Sequence, residues 1–226
     1  MRQLVKIVPT LAALACSVFA GPVFAGNLVK NGDFSLGHTL FKSDYSHHGY
    51  PTANPLKGTG PGKFEIGNDP TQDNSAWAAV GDHTTGTGAF MLVDGSTTGT
   101  ARVWDQTFSV VKGQKYNLSA WAVNFLDKAP AHLIFTINGK HVGPSLSLGS
   151  AGTWQNLNFD WTSNTTKVTF AIVDTHTQAS GNDFGLDDIS FTPVPEASTV
   201  MTFALLCMGG LFTLRRRPRA ATGALS

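Results

Sequence analysis

Between residues 27 and 191, apolar and polar residues alternate in short runs, and Gly, Asn, Asp and Pro separate the runs. No long stretch repeats with a 3.6-residue period. Side chains on a strand alternate between its two faces, so this pattern predicts a series of short strands rather than helices. Residues 102–110 place Trp104, Phe108 and Val110 on one face. Residues 115–125 place Tyr116, Leu118, Ala120 and Ala122 on one face and Trp121, Val123 and Phe125 on the other. Residues 131–137 group Leu133, Phe135 and Ile137, and Asn138-Gly139 then predicts a tight hairpin turn. Residues 154–161 set Leu157, Phe159 and Trp161 against Asn156, Asn158 and Asp160. Strands are also expected at 167–174, with Val168, Phe170 and Ile172 on one face, at 184–191, and at 89–93 after a Gly/Thr loop that begins at Asp82-His83. Turns are expected at 112–114 and 149–153. Residues 38–76 show little periodicity and predict a long loop. The whole is the pattern of an all-β sandwich.

Both ends of the chain depart from it. Residues 1–25 combine Arg2 and Lys6, an apolar run at 11–19 and the small-x-small sequence Val23-Phe24-Ala25, the three parts of a signal peptide cut after Ala25, with Ala20 as the second choice. Residues 199–214 form an apolar run of 16, about 24 Å as a helix at 1.5 Å per residue, and Arg215-Arg216-Arg217 follow it. These arginines belong on the cytoplasmic side and make the run a membrane helix. Six of the 16 basic residues lie in these end segments, which leaves 10 basic against 15 acidic residues over 26–214, a net of −5. An acidic body excludes nucleic acid as a partner. Cys16 and Cys207 lie in the end segments, so the body has no cysteine to form a disulfide and must be held by a hydrophobic core.

Val194-Pro195-Glu196, the apolar run and the arginine cluster together resemble the PEP-CTERM sorting signal of Gram-negative bacteria, over about residues 193–219, with 220–226 left as a tail. Ala197 stands where the family most often has a second proline. The resemblance implies export, a transient inner-membrane anchor, processing by an exosortase-type enzyme, and a place on the cell surface or in the extracellular matrix, where such proteins accompany polysaccharide and biofilm formation. Within the body, the opening Asn27-Leu28-Val29-Lys30-Asn31-Gly32-Asp33-Phe34, the middle Trp104-Asp105-Gln106-Thr107-Phe108, and the closing Leu186-Asp187-Asp188-Ile189-Ser190-Phe191 resemble the jelly-roll domains of the family 4/9 carbohydrate-binding modules and their galactose-binding-like relatives. That resemblance implies a jelly-roll β-sandwich over residues 26–192, with its first and last strands side by side.

It also implies a structural Ca2+ near those strands, held by Asn31, Asp33 and Asp188, with Asp187 as an alternative. The competing reading is that Asp33 serves the Gly32 turn and that Asp187 and Asp188 face water. A sugar site is expected where aromatic rings meet amides and carboxylates: Trp121 and Trp154 with Asn156, Asn158 and Asp160. The competing reading puts Trp121 under a loop or in a second core layer. Asp44, His47 and His48, with His38 nearby, are adjacent loop residues and are not expected to converge on zinc. Asp187 and Asp188 are expected on opposite faces of a strand, which would bar them from acting as a catalytic pair. No hydrolase motif is present, so an enzyme is not expected. The expected function is that of an exported, non-catalytic surface or matrix protein binding polysaccharide. A purely structural biofilm protein and, with least support, a glycoside hydrolase using the 38–76 loop are the alternatives.

Overall fold

A computed structural model describes residues 26–49 and 60–195. The signal peptide expected at 1–25, the apolar run at 199–214 and the tail at 220–226 lie outside the described residues. Among the described residues, no helix is long and apolar enough to cross a membrane.

The strands among the described residues are β1 (Ser46–His47), β2 (Lys63–Gly67), β3 (Phe90–Asp94), β4 (Arg102–Ser109), β5 (Lys115–Asn124), β6 (His132–Ile137), β7 (Lys140–Ser147), β8 (Trp154–Thr162), β9 (Lys167–Asp174) and β10 (Asp183–Pro193). They form a six-stranded sheet, β1-β2-β3-β10-β5-β8, and a four-stranded sheet, β4-β9-β6-β7. This is an all-β jelly-roll sandwich. The turn at 112–114 is present, with Gly113 at φ 87°. It joins β4 and β5 across the two sheets rather than as a hairpin. Asn138 and Gly139, at φ 51° and 76°, make the β6–β7 hairpin turn, whose two central residues must both adopt positive φ.

The alternation of the sequence is the inside and outside of the sandwich. β5 turns Tyr116, Leu118, Ala120 and Ala122 inward, where all four are buried. They face Trp104 and Phe108 of β4, Phe135 of β6, and Val168, Phe170 and Ile172 of β9 in one continuous core. Burying an aliphatic or phenyl side chain of this size contributes about 1.5–3 kcal/mol, and this core holds the fold without a disulfide in the body.

The opening motif packs against the last strand, beside this core. Asn27 Oδ1 accepts from the Val29 and Phe191 backbone N–H groups, and its amide donates to the Ile189 carbonyl. Ile189 N–H in turn donates to the Gly32 carbonyl at 2.9 Å. A Cβ on Gly32 would lie 2.1 Å from the Ile189 oxygen, so only glycine fits there. Phe34 enters the core fully buried. The first and last segments are therefore adjacent, as the resemblance implies.

The 38–76 segment is not structureless. Its described residues contain β1, β2 and a 3-10 turn at Pro70–Gln72, started by Asp69, whose carboxylate accepts from Thr71 N–H. Lys63-Phe64-Glu65-Ile66 of β2 does alternate, but with only two apolar residues inside a Gly-, Pro- and Asn-rich stretch the run is too short to stand out. β10 runs to Pro193. Val194, the first residue of the expected sorting motif, is still tied to the sheet, its N–H donating to the Lys115 carbonyl and its carbonyl accepting from the Gln114 amide. Pro195 is described and exposed, and Glu196 lies outside the described residues.

Candidate functional site

The outer face of the six-stranded sheet is divided in two. Over β3 and the end of β5, residues 68–89 cover it with a second small core of Trp77, Phe90, Leu92, Val123 and Phe125. Trp77 stacks on Phe125 at 4.9 Å, and Ala78 N–H donates to the Phe125 carbonyl. Over β5 and β8 the face is open and polar. Register places Asn117 against Asp160, Ser119 against Asn158, and Trp121 against Asn156. The Asn117 amide donates to Asn158 Oδ1 (3.0 Å) and Asp160 Oδ1 (2.8 Å), and the Asn156 amide donates to Ser119 Oγ (2.9 Å). Lys115 reaches Asp160 at 3.6 Å. Asn156, Asn158 and Asp160 are exposed, so each amide and carboxylate keeps hydrogen-bonding capacity toward solvent.

The loop at 81–88 forms the boundary between the two halves. Asp82 builds it: its carboxylate accepts from Thr85 N–H (2.8 Å), Gly88 N–H (2.6 Å) and Thr85 Oγ1. Burial raises the Asp82 carboxyl, but these donors outweigh it and hold the group below the usual carboxylate range. Gly81 packs on the Gly86 carbonyl, where a Cβ would lie 2.0 Å away. The loop so shaped lays the His83 ring on Trp121, with centroids 3.8 Å apart and planes 17° apart.

β10 pins the same loop from below. Asp187 is fully buried and accepts from His83 N–H at 2.9 Å and Thr84 N–H at 3.3 Å. Burial pushes its carboxyl up to about 7. Asp188 Oδ2 lies 2.6 Å from His83 Nδ1, and Asp188 Oδ1 accepts from Thr84 Oγ1 at 2.7 Å. The two adjacent carboxylates thus meet the same two residues. This corrects the expectation that they point to opposite faces. Register slips between Asp187 and Ser190, and Asp188 takes φ 48°, so a bulge turns both side chains toward the loop.

Asn31, Asp33 and Asp188, expected from sequence to hold Ca2+, line one pocket with Gly32 and Ile189, and each is engaged in hydrogen bonds within the chain. Asn31 uses its whole amide locally, donating to the Gly37 and Thr39 carbonyls and accepting from Leu36 N–H. Asp33 accepts from Ser35 N–H and Oγ, an ordinary Asx turn. Asp187 and Asp188 are engaged with His83 and Thr84. Among the described residues no three His, Cys, Asp or Glu side chains converge as a metal site.

Trp121 stands where alternation puts it, half-buried with one ring face under His83. Trp154 is different. Its Nε1 donates to the Gly81 carbonyl at 3.1 Å and its ring packs edge-on to Phe90, so it belongs to the second core rather than to an open platform. In the histidine segment, Asp44 is taken by Arg102, whose guanidinium holds the Asp44 carboxyl below its usual range. His38 and His47 do come together, ring on ring at 4.1 Å over Phe64, although they were not expected to converge. The sequence reading missed His83, Thr84 and Asn117 as members of the face. The run Asp82-His83-Thr84-Thr85 before a strand was the available signal, since Asp and Thr at that spacing cap tight loops.

No family model matches this chain, and no curated protein matches it. Among solved structures, it is similar to a Stig cyclase from Fischerella sp. TAU in complex with a pyrrolidinylidene-3H-indole (TM-score 0.51, 10% identity, 75% of this chain and 97% of that one). It is also similar to a family 61 carbohydrate-binding module in complex with β-1,4-galactotriose (TM-score 0.48, 12% identity, 75% and 99%). A third is a xylan-binding family 22 module from Paenibacillus barcinonensis (TM-score 0.43, 16% identity, 70% and 95%). At these identities the likeness concerns the fold.

Proposed function

We propose that this chain is an exported, non-catalytic surface or matrix protein that binds polysaccharide on the open half of the six-stranded sheet, after exosortase-type processing at the Val194-Pro195-Glu196 motif. The observation that carries the binding reading is the ladder of Asn117, Ser119, Asn156, Asn158 and Asp160 running up to the Trp121–His83 stack. Sugars present an apolar ring face to an aromatic and hydroxyls to amides and carboxylates, and this strip sets exposed amides and a carboxylate beside the partly exposed Trp121–His83 pair. Export rests on the sequence alone, on the tripartite segment at 1–25 and the one at 193–219.

Catalysis has little to draw on. A glycosidase needs two carboxyls about 5–9.5 Å apart on either side of a sugar. Asp187 is sealed beneath the loop and Asp188 is held by His83 and Thr84. A glycan array probed with the full chain tests the binding reading. Retention of neutral polysaccharides that weakens in Asn156→Ala supports it, and a blank array favours a purely structural matrix protein.

A further inference from the structure

β4 is the edge strand of the four-stranded sheet, and part of that edge has no neighbour. Lys42 and Asp105 exchange main-chain hydrogen bonds at 2.9 and 2.8 Å, and Asp44 N–H donates to the Arg102 carbonyl, so residues 42–44 cover the start of β4. At Leu40, with φ 67°, the covering chain turns away. Main-chain groups along a strand point to its two edges in turn. Those of Thr107 and Ser109, in step with Asp105, therefore aim at the uncovered edge, while those of Gln106 and Phe108 face β9. The opening segment forms the opposite bank, held by the Gln106 side chain, which accepts from Lys30 N–H at 3.1 Å and donates to the Lys30 carbonyl at 2.6 Å. Between the banks lies a groove of about 630 Å³, in the size range of small-ligand sites, with Leu28, Leu40, Phe41 and Phe108 as its apolar lining. Lys30 and Lys42 also line it, exposed and without an ion pair among the described residues. Asp105, the acidic residue of the lining, is 2% exposed and lies 3.1 Å from Arg102, so the charges presented to solvent are the two ammonium groups.

We propose that this groove binds an acidic sugar, a uronate or a short run of uronates in an anionic polysaccharide. The sugar carboxylate pairs with Lys30 and Lys42, an attraction that the otherwise acidic body offers at few places. Its hydroxyls exchange hydrogen bonds with the free main-chain groups of Thr107 and Ser109 and with the Ser109 hydroxyl. Its apolar ring face lies on Leu40, which is 61% exposed. Other occupants fit less well. Only two residues of the edge are free, since the next in step, Val111, donates its N–H to the Tyr116 hydroxyl at 2.8 Å. That is too short for an added peptide strand, which gains its affinity from a run of main-chain bonds. A second copy paired with Thr107 opposite Ser109 would bring its Val111 against Asp105, where Lys42 already stands. The groove lies on the other sheet from Trp121, and the inference does not rest on the reading of that face.

Calorimetric titration of the full chain with a galacturonate hexamer, and with the same hexamer methyl-esterified, is the test. The acid form is expected to bind about tenfold more tightly than the ester, and to weaken as NaCl rises from about 50 to about 500 mM. Lys30→Gln and Lys42→Gln, at exposed positions, should melt as the wild type does and should each weaken the acid form roughly two- to fivefold. Lys140→Gln, at an exposed turn away from the groove, should leave the affinity unchanged. Any retention of neutral polysaccharide should be the same in the Lys30→Gln/Lys42→Gln double variant as in the wild type, which separates this site from the Trp121 face. Absence of binding, equal affinity for acid and ester, or indifference to both lysine substitutions overturns the proposal. So does an equal loss in Lys140→Gln, or a poly-glutamate peptide that competes as well as the hexamer and so marks the groove as a site for acidic peptide.

Discussion

Asp188 shows how much one backbone angle can decide. In a regular strand its side chain would leave the face that Asp187 occupies. At φ 48° it instead reaches His83 and Thr84, and together the two aspartates hold the ring that covers Trp121. Aspartate tolerates this left-handed region better than most residues. Alternation found Trp121's face, because that depends only on period two. It could not find its cover, because His83 comes from a loop whose position depends on a bulge more than a hundred residues away. Trp121 and Trp104 should therefore respond differently to truncation. Trp104 is fully buried in the main core, and Trp104→Ala is expected to lower stability by about 3–5 kcal/mol. Trp121 is half-buried, and Trp121→Ala is expected to lose about 1–2 kcal/mol, chiefly packing and the ring stack with His83. Urea unfolding of the two variants checks this. Equal losses would put Trp121 in the core.

At the scale of elements, the strands were legible and their partners were not. β5, β8 and β9 fall where the alternation places them, since each sends alternate apolar residues into or against the main core. β2 escaped because its alternation holds only two apolar residues, Phe64 and Ile66, in a Gly- and Pro-rich stretch, and the sheet change at 112–114 escaped because a short turn between consecutive strands reads equally well as a hairpin. The loop at 81–88 is built by one side chain. Asp82→Ala removes the acceptor for two backbone N–H groups and should destabilise by about 1–3 kcal/mol. Hydrogen exchange should quicken at Thr85 and Gly88 while β5 and β10 stay protected. Uniform loss of protection across the sheets would show that the loop is not a separate unit.

Across the whole molecule, the raised carboxyls set the direction of the pH response. Glu65 lies near about 8, and Asp94, raised by burial and by Asp183, and Asp187 lie near about 7. The folded chain therefore holds protons that the unfolded chain releases near pH 4. The stability these groups allow is fully present below that value and is lost as pH rises through 7 and 8. Asp44, Asp69 and Asp82, with lowered values, act in the opposite sense, but only below about pH 4. Melting in EDTA should thus fall steadily from about pH 5 to about pH 8.5, and a flat or rising profile would contradict the burial of these groups. The compact all-β body was legible from composition and period. The distribution of buried charge was not, since it depends on which loop closes over which strand.

The central claim is that the open half of the six-stranded sheet, with Trp121 at its head, takes polysaccharide. Co-sedimentation of the wild-type chain and of Trp121→Ala with an insoluble polysaccharide selected from the glycan array, run beside their melting curves, tests it most directly. The account predicts that wild type is retained and that Trp121→Ala, still folding cooperatively, loses most of that retention, tenfold or more if the ring supplies about 1.4 kcal/mol of contact. Undiminished retention by a folded Trp121→Ala would contradict it.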